Sequence, residues 1–200
     1  MKIKIIITPN KVVFLFSQFV LEIKEEFSMD DKSEIYYKLF KSPIGEIFVA
    51  STPLGLCRVG INSDLREEMI WFEEKFSNFS IEESDDQTQI YVSQLIEYFE
   101  GNRKEFDIPV FLIGTNFQKR VWKALTEIPY GKTASYKEIA LRVSNPKGVR
   151  AVGQANNKNP IPIVIPCHRI IGSNGELTGY GAGLEIKKWL LELEANNSCR

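Results

Sequence analysis

The run Asn159-Pro160-Ile161-Pro162-Ile163-Val164-Ile165-Pro166-Cys167-His168-Arg169-Ile170-Ile171 is where residue types and spacing come nearest to chemistry. Its prolines lack a backbone donor and fix φ, which excludes a helix interior and a central strand. A stiff extended wall that presents Cys167 in a fixed place is therefore expected. A thiol attacks only as thiolate, which requires a base or positive surroundings. His168 and Arg169 are the adjacent candidates. Read alone, a single cysteine is more often a small buried hydrophobe, and a single histidine a satisfied core or surface group, so the surroundings must decide.

The surroundings exclude several classes. Cys57, Cys167 and Cys199 are an odd set at unrelated spacings, so neither a disulfide framework nor a Cys-x-x-Cys motif is present. A reducing cytoplasm fits this usage. His168 is the single histidine and no second cysteine lies close, so a tetrahedral zinc site lacks ligands, and neither metal nor cofactor is expected. No run of about 20 apolar residues offers a membrane span. Residues 1–28 carry an early lysine pair and the apolar stretch Val12 to Phe16, but no small-residue cleavage pattern follows and Glu22 to Glu26 is charged, which argues against a secretory signal. An added strand or short helix, or an over-long start with Met29 as initiator, is the expectation.

Charge is split along the chain. Residues 1–113 hold 12 basic and 20 acidic side chains, a net charge of −8, whereas residues 114–200 hold 13 and 6, a net charge of +7. The overall charge of −1 conceals a basic half suited to a polyanion.

The elements that must position Cys167 follow from local patterns. Ile35 to Phe40, Ile47 to Ala50 and Leu56 to Ile61, separated by Pro-Ile-Gly and Thr-Pro-Leu-Gly turns, predict an antiparallel meander. Asp64 is placed to cap a helix to about Phe76, with Leu65, Met69 and Phe72 on one face. Glu82 to Asp86 reads as a loop or helix start, and Thr88 to Phe99 as a second helix closed by Gly101. Phe106 to Ile113 reads as an extended connector. Beyond it, Asn116 is the candidate cap of a helix carrying Phe117, Val121, Trp122 and Leu125. Helices over Ser135 to Val143 and Val149 to about Asn156, joined by Ser144 to Gly148, form a helix-turn-helix candidate. The second of these presents Ala151, Gly153 and Ala155, small enough for close approach, beside Arg150, while Lys147, Lys158 and Arg169 could neutralise phosphates. The fold class is α+β, divided as an extension at 1–33, a small α/β unit at 34–110 and a mostly helical unit at 111–200 that carries the helix-turn-helix candidate and Cys167.

Pro166-Cys167-His168-Arg169 after Asn159-Pro160-x-Pro162, followed by the Gly-rich stretch Gly172 to Gly183, closely resembles the active-site segment of the O6-methylguanine-DNA methyltransferases. The resemblance extends, in order and spacing, through Phe117-Gln118-x-x-Val121-Trp122, Pro129-x-Gly131-x-Thr133-x-Ser135-Tyr136, Arg150-Ala151-Val152-Gly153, Thr178-Gly179-Tyr180-x-x-Gly183 and Lys187-x-Trp189-Leu190-Leu191-x-x-Glu194. It covers residues 106–194, and the unit from Ile35 is similar only in general pattern.

What the resemblance implies is direct repair of double-stranded DNA by a monomer that takes the alkyl group of O6-alkylguanine, and of O4-methylthymine, onto its own Cys167 in a single turnover. The O6 atom lies inside the stack, so the nucleotide must be flipped out for a protein thiol to reach it. The resemblance assigns Arg150 to the vacated place in the stack, with Ala151 and Gly153 lying in the minor groove. It assigns Tyr136 to crowding the phosphate and donating to guanine N3. It further implies a water between Cys167 and His168, a bond from His168 to Glu194, and Asn159 as the brace of the reactive turn. Backbone groups at Cys167, Ile170 and Gly181 would read the guanine, Tyr180 and Pro162 would wall the pocket, and Thr178 bears on its width. The alternatives are a non-reacting lesion binder, in which tryptophan replaces the cysteine, a helix-turn-helix regulator, and a cysteine hydrolase, for which adjacent Cys167 and His168 are badly placed.

Overall fold

The computed structural model describes residues 32–198. The expectations for residues 1–28 and for Met29, and the thiol of Cys199, lie outside the described residues.

Strands β1 (Ser33–Ser42), β2 (Gly45–Thr52) and β3 (Gly55–Ile61) form the predicted antiparallel meander. Gly45 and Gly55, with φ of 111° and 133°, open β2 and β3 in backbone conformations that L side chains rarely adopt. A fourth strand, β4 (Phe79–Glu83), pairs parallel to β1 and gives the order β3-β2-β1-β4. Its acidic end had suggested a loop; on a sheet edge those carboxylates face water, where charge also discourages edge-to-edge pairing.

Both faces of the sheet are covered. Ile47 and Val49 of β2 point into one apolar cluster and Phe48 and Ala50 into another, as the two-residue period requires. Helix α1 (Leu65–Lys75) closes the second cluster through Phe72, and α2 (Asp85–Phe99) closes the first through Tyr91, Leu95, Tyr98 and Phe99. Asp64 caps α1 as expected, accepting from the Glu67 amide at 2.7 Å. The inward face of α1 differs from the expected one. Leu65 is exposed and Glu68 is buried, because Arg58 of β3 meets its carboxylate at 2.6 and 3.1 Å.

The C-terminal half consists of α3 (Asn116–Thr126), α4 (Tyr136–Arg142), α5 (Val149–Asn157) and α6 (Leu184–Asn197). Thr115, not Asn116, caps α3, in a reciprocal box with Gln118; Ser135 and Glu138 make the same box on α4. Trp122, 1% exposed, donates its indole N–H to the Ala155 carbonyl at 2.8 Å and so ties α3 to α5. Truncating such a side chain to alanine costs about 3–5 kcal/mol. The large apolar cluster runs without a break from β2 and α2 into α3, α4 and α6. Cys167 therefore stands on a core shared by both halves.

Candidate active site

The reactive segment departs from the expected extended wall. After α5 the chain makes a tight turn in which Ile163 has a φ of 76°, Pro162 bridges to Ile165, and Cys167–Arg169 form one turn of 3-10 helix. Prolines exclude a long helix here, but they are compatible with short turns. Asn159 braces the turn from inside. Its Nδ2 donates to the Ile165 carbonyl at 2.8 Å and its Oδ1 accepts from the Ile161 amide at 3.1 Å. Immediately after the turn, β6 (Ile170–Ile171) pairs in parallel with β5 (Ala134–Ser135), the segment that leads into α4. The helix-turn-helix and the reactive turn are thereby stapled together.

Cys167 is 4% exposed. Burial pushes its thiol up to about 11, against the opposing pull of a hydrogen bond from Asn159 and the charge of Lys187. The resting group is a neutral thiol, and a thiolate has to be made at the moment of use. His168, fully buried beside it, is held below its ordinary value of 6.5, chiefly by burial. Its Nε2 lies 2.8 Å from Glu194 Oε1, and its buried Nδ1 has no hydrogen-bond partner in the protein. That arrangement suits a base: one ring nitrogen is oriented by a carboxylate and the other is open to a proton.

Glu194, 0% exposed, collects donors from three segments: the reactive turn, α2 and the loop at Gly131. Besides His168 it accepts from Arg169 Nε and Nη2 at 2.9–3.1 Å, from the Tyr98 hydroxyl of α2 at 2.8 Å and from the Gly131 amide at 2.9 Å. Burial pushes this carboxyl up, yet the bonds and charges of His168 and Arg169 outweigh it and hold the group down at about 2. The inward line of α6 is partly polar. Lys187, Leu190 and Glu194 are buried, while Ile186, Trp189 and Leu193 are half-buried at its flanks.

Arg169 requires a correction. Expected to neutralise a phosphate, it is 6% exposed and occupied by Glu194 and, through Nη1 at 2.6 Å, by the Ile128 carbonyl. A guanidinium so engaged cannot reach a DNA backbone. Lys147 and Arg150, by contrast, are exposed at the turn and the start of α5.

Of the remaining expected residues, Tyr136 and Thr178 meet each other, and Tyr180 lies within electrostatic reach of the thiol. Tyr136 packs on Gly153, where an added Cβ would come within 3.7 Å of its ring, and its hydroxyl donates to the Thr178 carbonyl at 3.4 Å. Lys187 Nζ donates to the same carbonyl at 2.7 Å; burial pushes this amine down to about 8, partly offset by Cys167. Burial and the nearby Cys167 keep the Tyr180 hydroxyl protonated. Pro162 is half-buried, Ile170 buried, and Thr178 and Gly181 exposed on the Gly-rich loop. Beside Ala151, the outer face of α5 and the start of α3 frame a groove of about 380 Å³ that reaches Gln118 and Lys158. Among the described residues, no three His, Cys, Asp or Glu side chains cluster so as to hold a metal ion, and no helix is long and apolar enough to cross a membrane.

Sequence reasoning missed Tyr98, Gly131 and the buried side of Lys187. Tyr98 reads as one more apolar residue of α2, and only its neighbour 96 positions away makes it polar in purpose.

Fold and site together define a class: a mixed α+β protein whose built thiol site abuts a helix-turn-helix. Residues 35–112 match the 6-O-methylguanine DNA methyltransferase ribonuclease-like domain, and residues 116–196 match the DNA binding domain of the same methyltransferase. The methylated-DNA–protein-cysteine methyltransferase of Methanosarcina mazei is 50% identical over 82% of this chain and 99% of its own length. The inducible methylated-DNA–protein-cysteine methyltransferase of Bacillus subtilis is 44% identical over 84% of this chain and 94% of its own. The crystal structure of Mycobacterium tuberculosis OGT in complex with DNA superposes with a TM-score of 0.70 at 41% identity, covering 81% of this chain and 94% of that one. The chain belongs to the 6-O-methylguanine DNA methyltransferase family.

Proposed function

We propose that this protein repairs DNA by transferring the alkyl group of O6-alkylguanine irreversibly to the sulfur of Cys167. The observation that carries this reading is the buried Cys167 backed by a His168 whose outer nitrogen is bound to Glu194 and whose inner nitrogen is open. A water between Sγ and Nδ1 passes the thiol proton to the imidazole, and Glu194 stabilises the imidazolium that forms. The sulfur–carbon bond forms as the O6–carbon bond breaks, and the electron pair goes to guanine. Tyr136, donating to N3, lets the base leave neutral. Nothing in the site reverses a thioether, so one molecule acts once.

The nucleotide reaches the thiol by flipping, at a cost of a few kcal/mol of unstacking. Arg150 fills its place, and the small face of α5, Ala151 and Gly153, lies against the minor groove, with Lys147 on a phosphate. Backbone groups at Cys167, Ile170 and Gly181 read the guanine between Pro162 and Tyr180, and Thr178 borders the space left for the alkyl group. The unit at 111–200 binds and reacts while the unit at 34–110 supports it; the protein acts as a cytoplasmic monomer, and O4-methylthymine is a second substrate.

Intact mass before and after incubation with duplex DNA bearing one O6-methylguanine, followed by peptide mapping, tests the reading. A stoichiometric gain of one methylene at Cys167 is expected. Unchanged mass with tight lesion binding would make it a non-reacting binder.

A further inference from the structure

The polar cluster behind Cys167 contains a member from the other half of the molecule. Tyr98 is 0% exposed, and its ring is clamped by Phe99, Phe106 and Tyr130 at centroid distances of 5.8, 5.5 and 6.0 Å. The clamp leaves its hydroxyl at 2.8 Å from Glu194 Oε1, the same oxygen that holds His168, and at 3.4 Å from His168 Nε2 itself. Burial and the neighbouring carboxylate keep the phenol protonated, so it stands as a donor.

We propose that Tyr98 is a positioning residue for alkyl transfer: from α2 it fixes Glu194 Oε1 and shares that oxygen with His168, thereby setting how readily the imidazole holds a proton. The proposal rests on the reading of His168 as the base. A carboxylate oxygen offers less to each donor as the number of donors on it rises, and Arg169 is already on this one. With the hydroxyl removed, Oε1 is left to Nε2–H and the Arg169 guanidinium, and the imidazolium is favoured. The other charged groups facing His168 stay in place: Glu194 itself favours its charge, while Arg169 and Lys187 oppose it. Glu194 is still anchored by Arg169 and the Gly131 amide.

The chain has one histidine, so its titration can be read by NMR without ambiguity. In Tyr98→Phe that titration is expected to move up by about one pH unit. The acid limb of the single-turnover transfer rate should move with it, giving up to about tenfold slower transfer on the acid side, since a base must be neutral to accept. Tyr130→Phe, which removes a buried hydroxyl without a hydrogen-bond partner, is expected to leave both curves in place. In a Glu194→Gln background the Tyr98 substitution should have no further effect on the imidazole. An unmoved titration in a folded Tyr98→Phe, or the same displacement in Tyr130→Phe, would overturn the proposal. Should Tyr98→Phe not fold, a wild-type imidazole titration identical to that of Glu194→Gln would overturn it equally. A wild-type protein that transfers nothing would instead remove the reading on which it rests.

Discussion

Arg169 and Glu194 form a buried, two-pronged ion pair directly behind the reactive turn, with neither side chain more than 8% exposed. Breaking such a pair from one side leaves an uncompensated charge in the core, which costs about 3–5 kcal/mol. Glu194→Gln should therefore lower the urea midpoint by an amount equivalent to that loss. It should also slow transfer more than any surface substitution, and a variant as stable as wild type would show that Arg169 finds another partner.

Acid stability carries the same signature. The folded carboxyl of Glu194 titrates at about 2, below its ordinary 4.5, so its contribution is fully present above 4.5 and is lost as pH falls toward 2. His168 acts in the same direction from higher pH: its folded value lies below 6.5, so protonation of the unfolded chain begins to favour unfolding as pH drops past 6.5. Denaturant midpoints between pH 7 and 3 should fall steadily for wild type, and less steeply below 4.5 for Glu194→Gln.

The resting thiol should be sluggish toward general reagents. Cys167 titrates at about 11 and Cys57, enclosed in apolar surroundings, higher still. Labelling of Cys167 by iodoacetamide at neutral pH should therefore be slower than labelling of a free thiol, roughly in proportion to a thiolate fraction reduced by two to three powers of ten. Peptide mapping over a time course checks this, and rapid labelling at neutral pH would mean that the thiolate is preformed.

Arg150 is exposed on the first turn of α5. Arg150→Ala should slow repair of duplex DNA by about tenfold or more, the scale of a lost intercalating wedge, and should leave transfer from free O6-benzylguanine nearly unchanged. Equal losses on both substrates would remove its role in flipping.

Short-range physics made much of this molecule legible in its sequence. Asp64 announces its helix because a cap bonds to an amide three residues on, a role that Ser135, read as the first residue of its helix, also plays. The helix pair α4 and α5 followed from apolar spacing and the Pro146-Lys147-Gly148 turn. What stayed hidden depends on partners far along the chain. Glu68 looks like a solvated acid until β3 brings Arg58 to it, and Arg169 looks like a phosphate contact until Glu194 claims it. Tyr98 belongs to the same group. β4 escaped notice because an edge strand has no need of apolar residues on both faces.

The outer edge of β3 has a further role. The Val59 amide donates to the Pro160 carbonyl at 2.9 Å, and Leu56 exchanges hydrogen bonds with Pro109 and Phe111 of the connector. The turn that bears Cys167 thus completes the edge of a sheet belonging to the opposite half of the chain. The two halves are joined by backbone hydrogen bonds as well as by side-chain packing. A transplanted C-terminal half would need a foreign strand offering an amide at the position of Val59, so substitutions on β3 and on the reactive turn should be inherited as a set.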